Sequence, residues 1–375
     1  MVEVQDIFRL YENDYRQAYN PSYAQCKAMS SIIKCRTAAL GGHNDTCDNC
    51  GNVRVSYNSC RNRHCPKCQT LSKERWIDNQ KYNLLNIGYF HAVFTVPDDL
   101  RPVFLQNQEV MYNLLFKAVA ETLHELSANR KYLGAKIGFT SILHTWGQNL
   151  MFHPHIHCII PSGGISSSNT WVNSREKFFI PVKVLSRKFR GKFLALLQSA
   201  KLECHGEQRY LDSPECFQSL LESCYGKEWV VYCKPPFKSA SCVVEYLGRY
   251  THRVAISNNR ILKLENGFVS FKWRDYKDAG KWKLMTVSAV EFIRRFLTHI
   301  LPPGFMKIRH YGFLGNANKS MLLLCKKLTN TLIQPKTITS TLELIGNILG
   351  RNPAACPVCG YIGSQSRCLS PPIAC

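Results

Sequence analysis

Acidic residues are scarce in this sequence of 375 residues. It contains 26 Asp and Glu residues against 48 Lys and Arg residues, which gives a formal net charge of +22. An excess of this size favours a polyanionic partner, and nucleic acid is the most common one. The alternative interpretation is a surface that is basic only for solubility.

Long apolar runs are also missing. No stretch approaches 18 uninterrupted apolar residues, so we expect no membrane span. The first residues carry neither a basic nor an apolar segment of the secretory type, so we expect a cytoplasmic protein. The phosphate-binding pattern Gly-x-x-x-x-Gly-Lys-Ser/Thr does not occur either. Its absence argues against an ATPase, and any helicase activity would then come from another protein.

Cysteine, by contrast, is abundant, with 18 residues. In a cytoplasmic chain this abundance favours metal binding over disulfides. The strongest pattern is Cys47-x-x-Cys50 followed, after a gap of fourteen residues, by Cys65-x-x-Cys68. Two such pairs predict one tetrahedral zinc site with four thiolate ligands.

Further cysteines and basic residues surround this pattern. Cys60 and His43 are alternative zinc ligands, and the basic loop with Arg61 and Arg63 suggests that the module touches DNA. A second knuckle, Cys356-Pro-Val-Cys359-Gly360, lies in the C-terminal tail. One knuckle supplies half of a zinc site, so zinc binding there stays open.

The order of predicted elements indicates the fold class. A helical stretch over 5–35 precedes the cysteine-rich segment. Strands are expected at 89–96, 136–143 and 155–160, and helices at 102–127 and 287–300. Because regular β-α-β alternation is missing, we predict an α+β fold with an antiparallel sheet and flanking helices. The expected domains are a helical and zinc-binding domain (1–85), a main domain (86–320) and a C-terminal tail (321–375).

Two histidines begin one of these strands. Residues i and i+2 of a strand point to the same side, so His155 and His157 project from one face. Two imidazoles on one face can hold a metal ion that polarises a phosphate oxygen. Pro154 predicts a break in the strand, which would separate His153 from this face. For an isolated His-x-His, the interpretation that two histidines simply line a strand is favoured, so this motif alone is a weak signal.

Two tyrosines follow at helical spacing. Tyr246 and Tyr250 are four residues apart and would share one face of a helix. A tyrosine can attack a phosphodiester and hold the cut strand as a covalent ester. Arg249 and Arg253 would favour the phenolate and bind the DNA. The alternative is a pair of ordinary half-buried aromatics.

In combination, the histidine pair and the tyrosine pair resemble the two-tyrosine HUH endonucleases. Longer phrases resemble one branch of that class, the insertion-sequence ninety-one family of rolling-circle transposases with an N-terminal zinc-binding domain. The resemblance extends from about Cys35 to Asn318. The phrases that carry it are Asn58-Ser-Cys-Arg-Asn-Arg-His-Cys-Pro-Lys-Cys68, His144-Thr-Trp-Gly-Gln-Asn-Leu150, His153-Pro-His-Ile-His157 and Tyr246-Leu-Gly-Arg-Tyr-Thr-His-Arg253.

This resemblance implies a fold and a reaction. The fold would be an RRM-like antiparallel sheet with both histidines on a central strand. These two histidines would bind Mg²⁺ or Mn²⁺. His144 is the implied third ligand, because related relaxases have a histidine at a similar distance before the pair, and Gln148 is the second choice. Tyr246 and Tyr250 would be the nucleophiles, forming a 5′-phosphotyrosine and a free 3′-OH.

The resemblance also implies partners and a location. The partners would be single-stranded DNA at element ends, target DNA and a host helicase, and the protein would act at the nucleoid in the bacterial cytoplasm. One alternative is an HUH plasmid replication initiator or relaxase, with the same chemistry in another role. The other is a zinc-ribbon nucleic-acid-binding protein without catalysis.

Overall fold

A computed structural model describes residues 2–175, 179–237, 242–243, 248, 255–276, 278–333 and 339–372. The helices in these ranges are α1 (Val4–Ala18), α2 (Tyr23–Lys34), α3 (Gln69–Lys81), α4 (Arg101–Gln106), α5 (Gln108–Ala128), α6 (Val182–Gln198), α7 (Pro214–Gly226), α8 (Ala289–Leu297), α9 (Lys319–Leu328) and α10 (Thr341–Leu349). The strands are β1 (Gly42–Cys47), β2 (Val53–Tyr57), β3 (Tyr89–Thr95), β4 (Phe139–Trp146), β5 (Phe152–Pro161), β6 (Gly163–Ile165), β7 (Trp171–Asn173), β8 (Val231–Phe237), β9 (Ile261–Glu265), β10 (Phe268–Asp275), β11 (Lys281–Ser288), β12 (Ile308–Tyr311) and β13 (Ser364–Leu369).

The central sheet has the strand order β12-β4-β5-β3-β8 within the described ranges, and its neighbouring strands are antiparallel. One face of this sheet packs on α5 and α6 in the largest hydrophobic core. Phe94 of β3 meets Phe189 of α6 edge to face, with ring centroids 5.2 Å apart. A fully buried side chain of this size contributes about 1.5–3 kcal/mol to folding. The predicted α+β fold with an antiparallel sheet is confirmed.

A second core joins the N-terminal helices to a smaller sheet. Helix α1 packs against α8, where the rings of Phe8 and Phe296 lie 5.3 Å apart. The same core includes Phe271 of β10 and Cys65. This core crosses the expected boundary at residue 85, because it takes side chains from both sides of it.

The C-terminal tail also pairs with the N-terminal region. Strand β13 lies antiparallel to β1, with register from Gly42 opposite Leu369 to Cys47 opposite Ser364, and β2 flanks β1 on its other edge. The tail therefore completes a small sheet in the cysteine-rich module.

Two predicted helices are each divided in the structure. The stretch over 5–35 forms α1 and α2, because Ser22 caps a new helix after Pro21 by accepting a hydrogen bond from the Gln25 backbone. The stretch over 102–127 breaks at Asn107 into α4 and α5. The Asn107 amide bonds to both the backbone N–H and the carbonyl of Glu203, each at 2.8 Å.

Among the helices that the structure describes, none combines the length and the apolar composition required to cross a bilayer.

Candidate active site

Three histidines converge on the face of the central sheet opposite α5 and α6. His144 on β4 lies directly across the strand pair from His155 on β5, and His157 lies two residues further along β5. One ring nitrogen from each histidine lies within 4.8 Å of the others. The structure thus brings together His155, His157 and His144, as predicted; whether they bind a metal stays a prediction.

Strand β5 begins earlier than the sequence indicated. It starts at Phe152 and includes Pro154, so the predicted break at this proline is wrong. The β3–β5 pairing stops at Thr95 opposite His155, and the β4–β5 ladder shifts register next to His144. Pro154 therefore lies beyond the end of one ladder and beside an irregularity of the other, where its missing N–H is tolerated.

Hydrogen bonds fix the orientation of the two β5 imidazoles. Nδ1 of His155 donates to the backbone carbonyl of His153 at 2.6 Å, and Nδ1 of His157 lies 2.8 Å from Nε2 of His91 on β3. Both Nε2 atoms then face each other at 3.0 Å. Metal-bound histidines usually donate their second ring N–H to a partner in this way. His91 was not among the predicted site residues, because its only sequence signal is a polar residue inside an apolar strand.

The separation of the two Nε2 atoms fits a shared divalent ion. Two ligand bonds of about 2.1 Å that end 3.0 Å apart meet at about 90°, the angle between adjacent ligands of an octahedral ion. The three donors are all imidazole nitrogens, a set better suited to a first-row transition-metal ion than to Mg²⁺.

Burial keeps the imidazoles neutral. It lowers the pKa of His155 to about 3 and holds the pKa of His157 well below its usual value of 6.5. Burial also lowers the pKa of His91 to about 4. At neutral pH these rings therefore keep lone pairs that can bind a cation. Trp146 stacks on the His144 ring with centroids 4.5 Å apart, which restricts the orientation of the third imidazole.

Of the tyrosine motif (246–253), the structure describes Gly248 alone, and Tyr246, Tyr250, Arg249 and Arg253 fall outside the described residues. Two described residues bracket part of it. Val243 is fully buried in a small cluster with Ile142 and Ile159, which stand on the same face of the sheet as the histidines. Gly248 approaches α3 so closely that a Cβ atom there would collide with Ile77. Gln148, the second choice for a metal ligand, lies between β4 and β5, and its carbonyl accepts a hydrogen bond from Arg260.

The cysteines form two clusters in the described part of the chain. The inner cluster consists of Cys35, Cys60, Cys65 and Cys68, and the outer cluster consists of Cys47, Cys50, Cys356 and Cys359. The predicted single site with Cys47, Cys50, Cys65 and Cys68 does not match this arrangement. The structure divides its two pairs between the clusters, because β1 and β2 carry the first knuckle away from α3 and towards the C-terminal tail.

Both clusters have the dimensions of zinc sites. The inner cluster has Sγ–Sγ distances of 3.5 Å (Cys35 to Cys68) and 3.6 Å (Cys60 to Cys68). A tetrahedral zinc ion with Zn–S bonds of about 2.3 Å separates its sulfurs by about 3.8 Å. Cys60, an alternative ligand in the sequence analysis, thus joins the inner cluster. The other alternative, His43, lies on β1 beside the Asp45 carboxylate at 3.6 Å, outside both clusters.

The two arginines predicted to bind DNA have different surroundings. Arg63 donates to the backbone carbonyls of Phe305 (2.6 Å) and Pro302 (2.7 Å), so its guanidinium holds the loop after α8. Burial lowers the pKa of this guanidinium. Arg61 is exposed and lines a cleft of about 1500 Å³.

This cleft lies beside the inner cluster and is rich in positive charge. Its basic lining residues are Arg36, Arg61, Lys67, Lys73 and Arg75. Gly248 of the tyrosine motif lines it as well, and residues of α10 cover part of it. Lys67 is engaged with Glu3 at 2.5 Å, while Arg36 and Arg61 are exposed. A backbone of phosphates is the natural ligand for a surface of this charge.

Comparison with known protein families identifies both parts of the chain. A family described as "Putative transposase" matches residues 138–321, which include the histidine centre. A family described as "Transposase zinc-binding domain", of the IS91 type, matches residues 7–96, which include the inner cluster.

Two similar proteins carry transposase names. The protein y4qJ of Sinorhizobium fredii, with the same description as the first family, is 46% identical over 368 residues, covering 95% of this chain and 92% of that protein. The transposase for insertion sequence element IS801 of Pseudomonas savastanoi pv. phaseolicola is 28% identical over 302 residues, covering 78% of this chain and 70% of that protein. The conjugative relaxase TrwC in complex with oriT DNA, in a copper-bound structure, has 12% identity and a TM-score of 0.25. That match covers 42% of this chain and 68% of the relaxase.

The sheet, the cysteine clusters and these matches define a transposase that carries a zinc-binding domain. The chain belongs to the insertion-sequence ninety-one (IS91) transposase family. It is therefore an enzyme of DNA strand transfer, and its cysteine clusters are suited to structural zinc.

Proposed function

We propose that this transposase nicks and rejoins single-stranded DNA by tyrosine transesterification at the histidine centre. The observation that carries the proposal is the convergence of His144, His155 and His157 on one face of the sheet. Their ring nitrogens lie within 4.8 Å of one another, and neighbouring groups orient the two rings on β5. The relaxase alternative shares this chemistry, but the transposase family of the chain favours transposition.

The three histidines would hold a divalent ion, Mn²⁺ or Mg²⁺. When bound, this ion neutralises charge on a non-bridging oxygen of the scissile phosphate. His91 would accept the Nδ1 proton of His157, and the His153 carbonyl accepts that of His155. These two contacts keep the lone pairs of both Nε2 atoms directed at one point. His91 and His153 are thus positioning residues.

Tyr246 and Tyr250 are the proposed nucleophiles. The phenolic oxygen of one tyrosine attacks phosphorus and forms the 5′-phosphotyrosine bond. The bond to the leaving 3′ oxygen breaks, and this oxygen takes up a proton to become a free 3′-OH. In rejoining, a 3′-OH attacks the phosphotyrosine and returns the phenol. Buried Val243, in a cluster with Ile142 and Ile159, supports packing of the motif against the histidine face.

The rest of the molecule would guide DNA to this centre. Arg249 and Arg253 would bind phosphates near the nucleophiles, and exposed Arg61 would bind the strand in the basic cleft. The cysteine-rich region near 1–85 would shape that cleft, while 86–320 would carry the chemistry. The partners would be element ends, target DNA and a host helicase, in the cytoplasm.

The test is a covalent protein–DNA adduct. The purified full chain is incubated with Mn²⁺ or Mg²⁺ and labelled single strands that carry element ends, and adducts are separated on a denaturing gel. We expect adducts with the wild type and with Tyr210→Phe, an exposed-tyrosine control. Adducts should vanish in the Tyr246→Phe/Tyr250→Phe double variant. His157→Ala should lower the rate by about 10³-fold or more, since it removes a ligand of the ion.

Other results would favour an alternative. Adducts that persist in the double variant would exclude these tyrosines as nucleophiles. DNA binding that survives EDTA, without adducts on any strand, would instead favour the zinc-ribbon binder without catalysis.

A further inference from the structure

The outer cluster is built from two knuckles with the same backbone geometry. In the first, Gly51 N–H donates to the Cys47 carbonyl at 3.0 Å, and in the second, Gly360 N–H donates to the Cys356 carbonyl at 2.9 Å. Each glycine has a positive φ, 69° and 75° respectively. The backbone N–H of the first cysteine in each knuckle donates a hydrogen bond of 2.9 Å to the carbonyl oxygen of the residue after the glycine. Two equivalent knuckles thus face each other.

Each sulfur atom of one knuckle lies close to a sulfur atom of the other knuckle. Cys47 Sγ lies 3.6 Å from Cys359 Sγ, and Cys50 Sγ lies 3.7 Å from Cys356 Sγ. These distances are far longer than a disulfide bond of about 2.05 Å and close to the spacing of about 3.8 Å around tetrahedral zinc. The zinc-binding family match ends at residue 96, so it does not include the second knuckle.

The second knuckle belongs to a strap, which we define as residues 339–372. Its β13 pairs with β1 along six residues of each strand, and Gly363 accepts a hydrogen bond from the Asp48 N–H at 3.3 Å. Its α10 lies against α3, where Arg75 bonds to Thr341, and Thr339 donates to the Asp78 carboxylate at 2.7 Å.

The strap covers part of the basic cleft. The α10 residues Thr341, Ile345, Ile348 and Leu349 line the same cleft as Arg61 and Gly248. The strap therefore contacts the cleft wall through α10 and the cysteine-rich sheet through β13. The outer cluster lies next to the second of these contacts, since Cys47 ends β1 and Cys359 lies five residues before β13.

We propose that the outer cluster is a second zinc site, shared between the hairpin of β1 and β2 and the C-terminal strap. Zinc binding there displaces the protons of four thiols and fastens the strap over the basic cleft. The proposal is independent of the tyrosine chemistry, because it requires only the cysteines, β13 and α10.

The first experiment counts zinc in the intact protein. Native mass spectrometry of the wild type should show two zinc ions per chain. The Cys356→Ser/Cys359→Ser variant should retain one, in the inner cluster. Cys368→Ser, a change on exposed β13 outside both clusters, should retain two. One zinc in the wild type, or two in the double variant, would overturn the second site. The wild-type count does not depend on whether any variant folds.

The second experiment tests the fastening. Hydrogen exchange of peptides that cover β13 should be at least tenfold faster in the double variant than in the wild type or Cys368→Ser. Peptides that cover β4 should be unchanged in all three proteins, which reports that the central sheet is intact. If β13 exchange stays at the wild-type rate in a protein with a single zinc ion, the zinc does not fasten the strap.

Discussion

The inner and outer cysteine clusters have the same four-sulfur composition but different chain connections. The inner ligands lie within residues 35–68, and Cys35 and Cys65 are buried in the core that α1 shares with α8. The outer ligands come from knuckles about 300 residues apart, and Cys50 and Cys359 are exposed. The inner cluster is therefore part of a hydrophobic core, whereas the outer cluster joins distant segments at the surface. We expect the first to determine folding and the second to determine how the strap is held.

Removal of an inner ligand should have the largest effect. Cys35→Ser leaves three thiolates in a buried site, and structural zinc supplies about 10–16 kcal/mol to small domains. We expect the melting temperature to fall by about 10 °C or more. The matched control is Cys325→Ser, which changes a fully buried cysteine outside both clusters. Scanning calorimetry measures the melting temperature of the two variants, and zinc analysis measures their zinc content. Equal melting temperatures, with both zinc ions retained, would remove the distinction between the clusters.

Acid should destabilise the inner region through His64. The His64 Nε2 accepts a hydrogen bond from the Leu301 N–H at 3.2 Å, and burial lowers the pKa of His64 to about 3. Since the folded pKa lies below the unfolded value of about 6.5, the unfolded state binds the proton first. The stability that neutral, buried His64 contributes to the folded state is complete above pH 6.5 and is lost as the pH falls towards 3. It amounts to about 2 kcal/mol between pH 7 and pH 5.

The measurement is urea unfolding at both pH values. His64→Gln retains an acceptor for the Leu301 N–H but cannot be protonated in this range. The wild type should therefore lose about 2 kcal/mol more than this variant. Parallel pH profiles for the two proteins would show that His64 is not responsible.

The smallest effect is expected at the other attachment of the strap. Asp78→Ala removes the carboxylate that accepts from Thr339, a part-buried hydrogen bond worth about 1 kcal/mol. Exchange of amides in α10 should rise about fivefold, while β13 keeps its protection through the outer cluster. Lys81→Ala is the control, because Lys81 lies 3.9 Å from the same carboxylate and does not touch the strap bond. Loss of β13 protection in Asp78→Ala would mean that the two attachments are not independent.

The histidine centre was predictable because it depends on local rules. Strand alternation alone places His155 and His157 on one face, and the longer phrases add His144. His91 was not predictable in this way. It reaches His157 from β3, a neighbour fixed only by the sheet order.

The cysteine pairing was missed because spacing along the chain was used as a guide to distance in space. Gly51 follows the first knuckle and Gly360 follows the last, and both adopt positive φ. Gln69 follows the knuckle that ends at Cys68. A glycine directly after the knuckle is therefore common to the two knuckles that form the outer cluster, and it was the sequence signal that these two belong together. Cys35 had no such signal, since it reaches its cluster from the end of α2.

Strand pairing between β1 and β13 has a consequence for synthesis of the protein on the ribosome. The two knuckles are 306 residues apart, and translation at about 5–20 residues per second separates their emergence by roughly 15–60 s. During that interval the β1 edge that later receives β13 has no partner from the strap, and such edges promote association with other chains. A product truncated before Cys356 would keep this edge exposed permanently. Pairing with β13 thus closes an edge that a product without β13 leaves open.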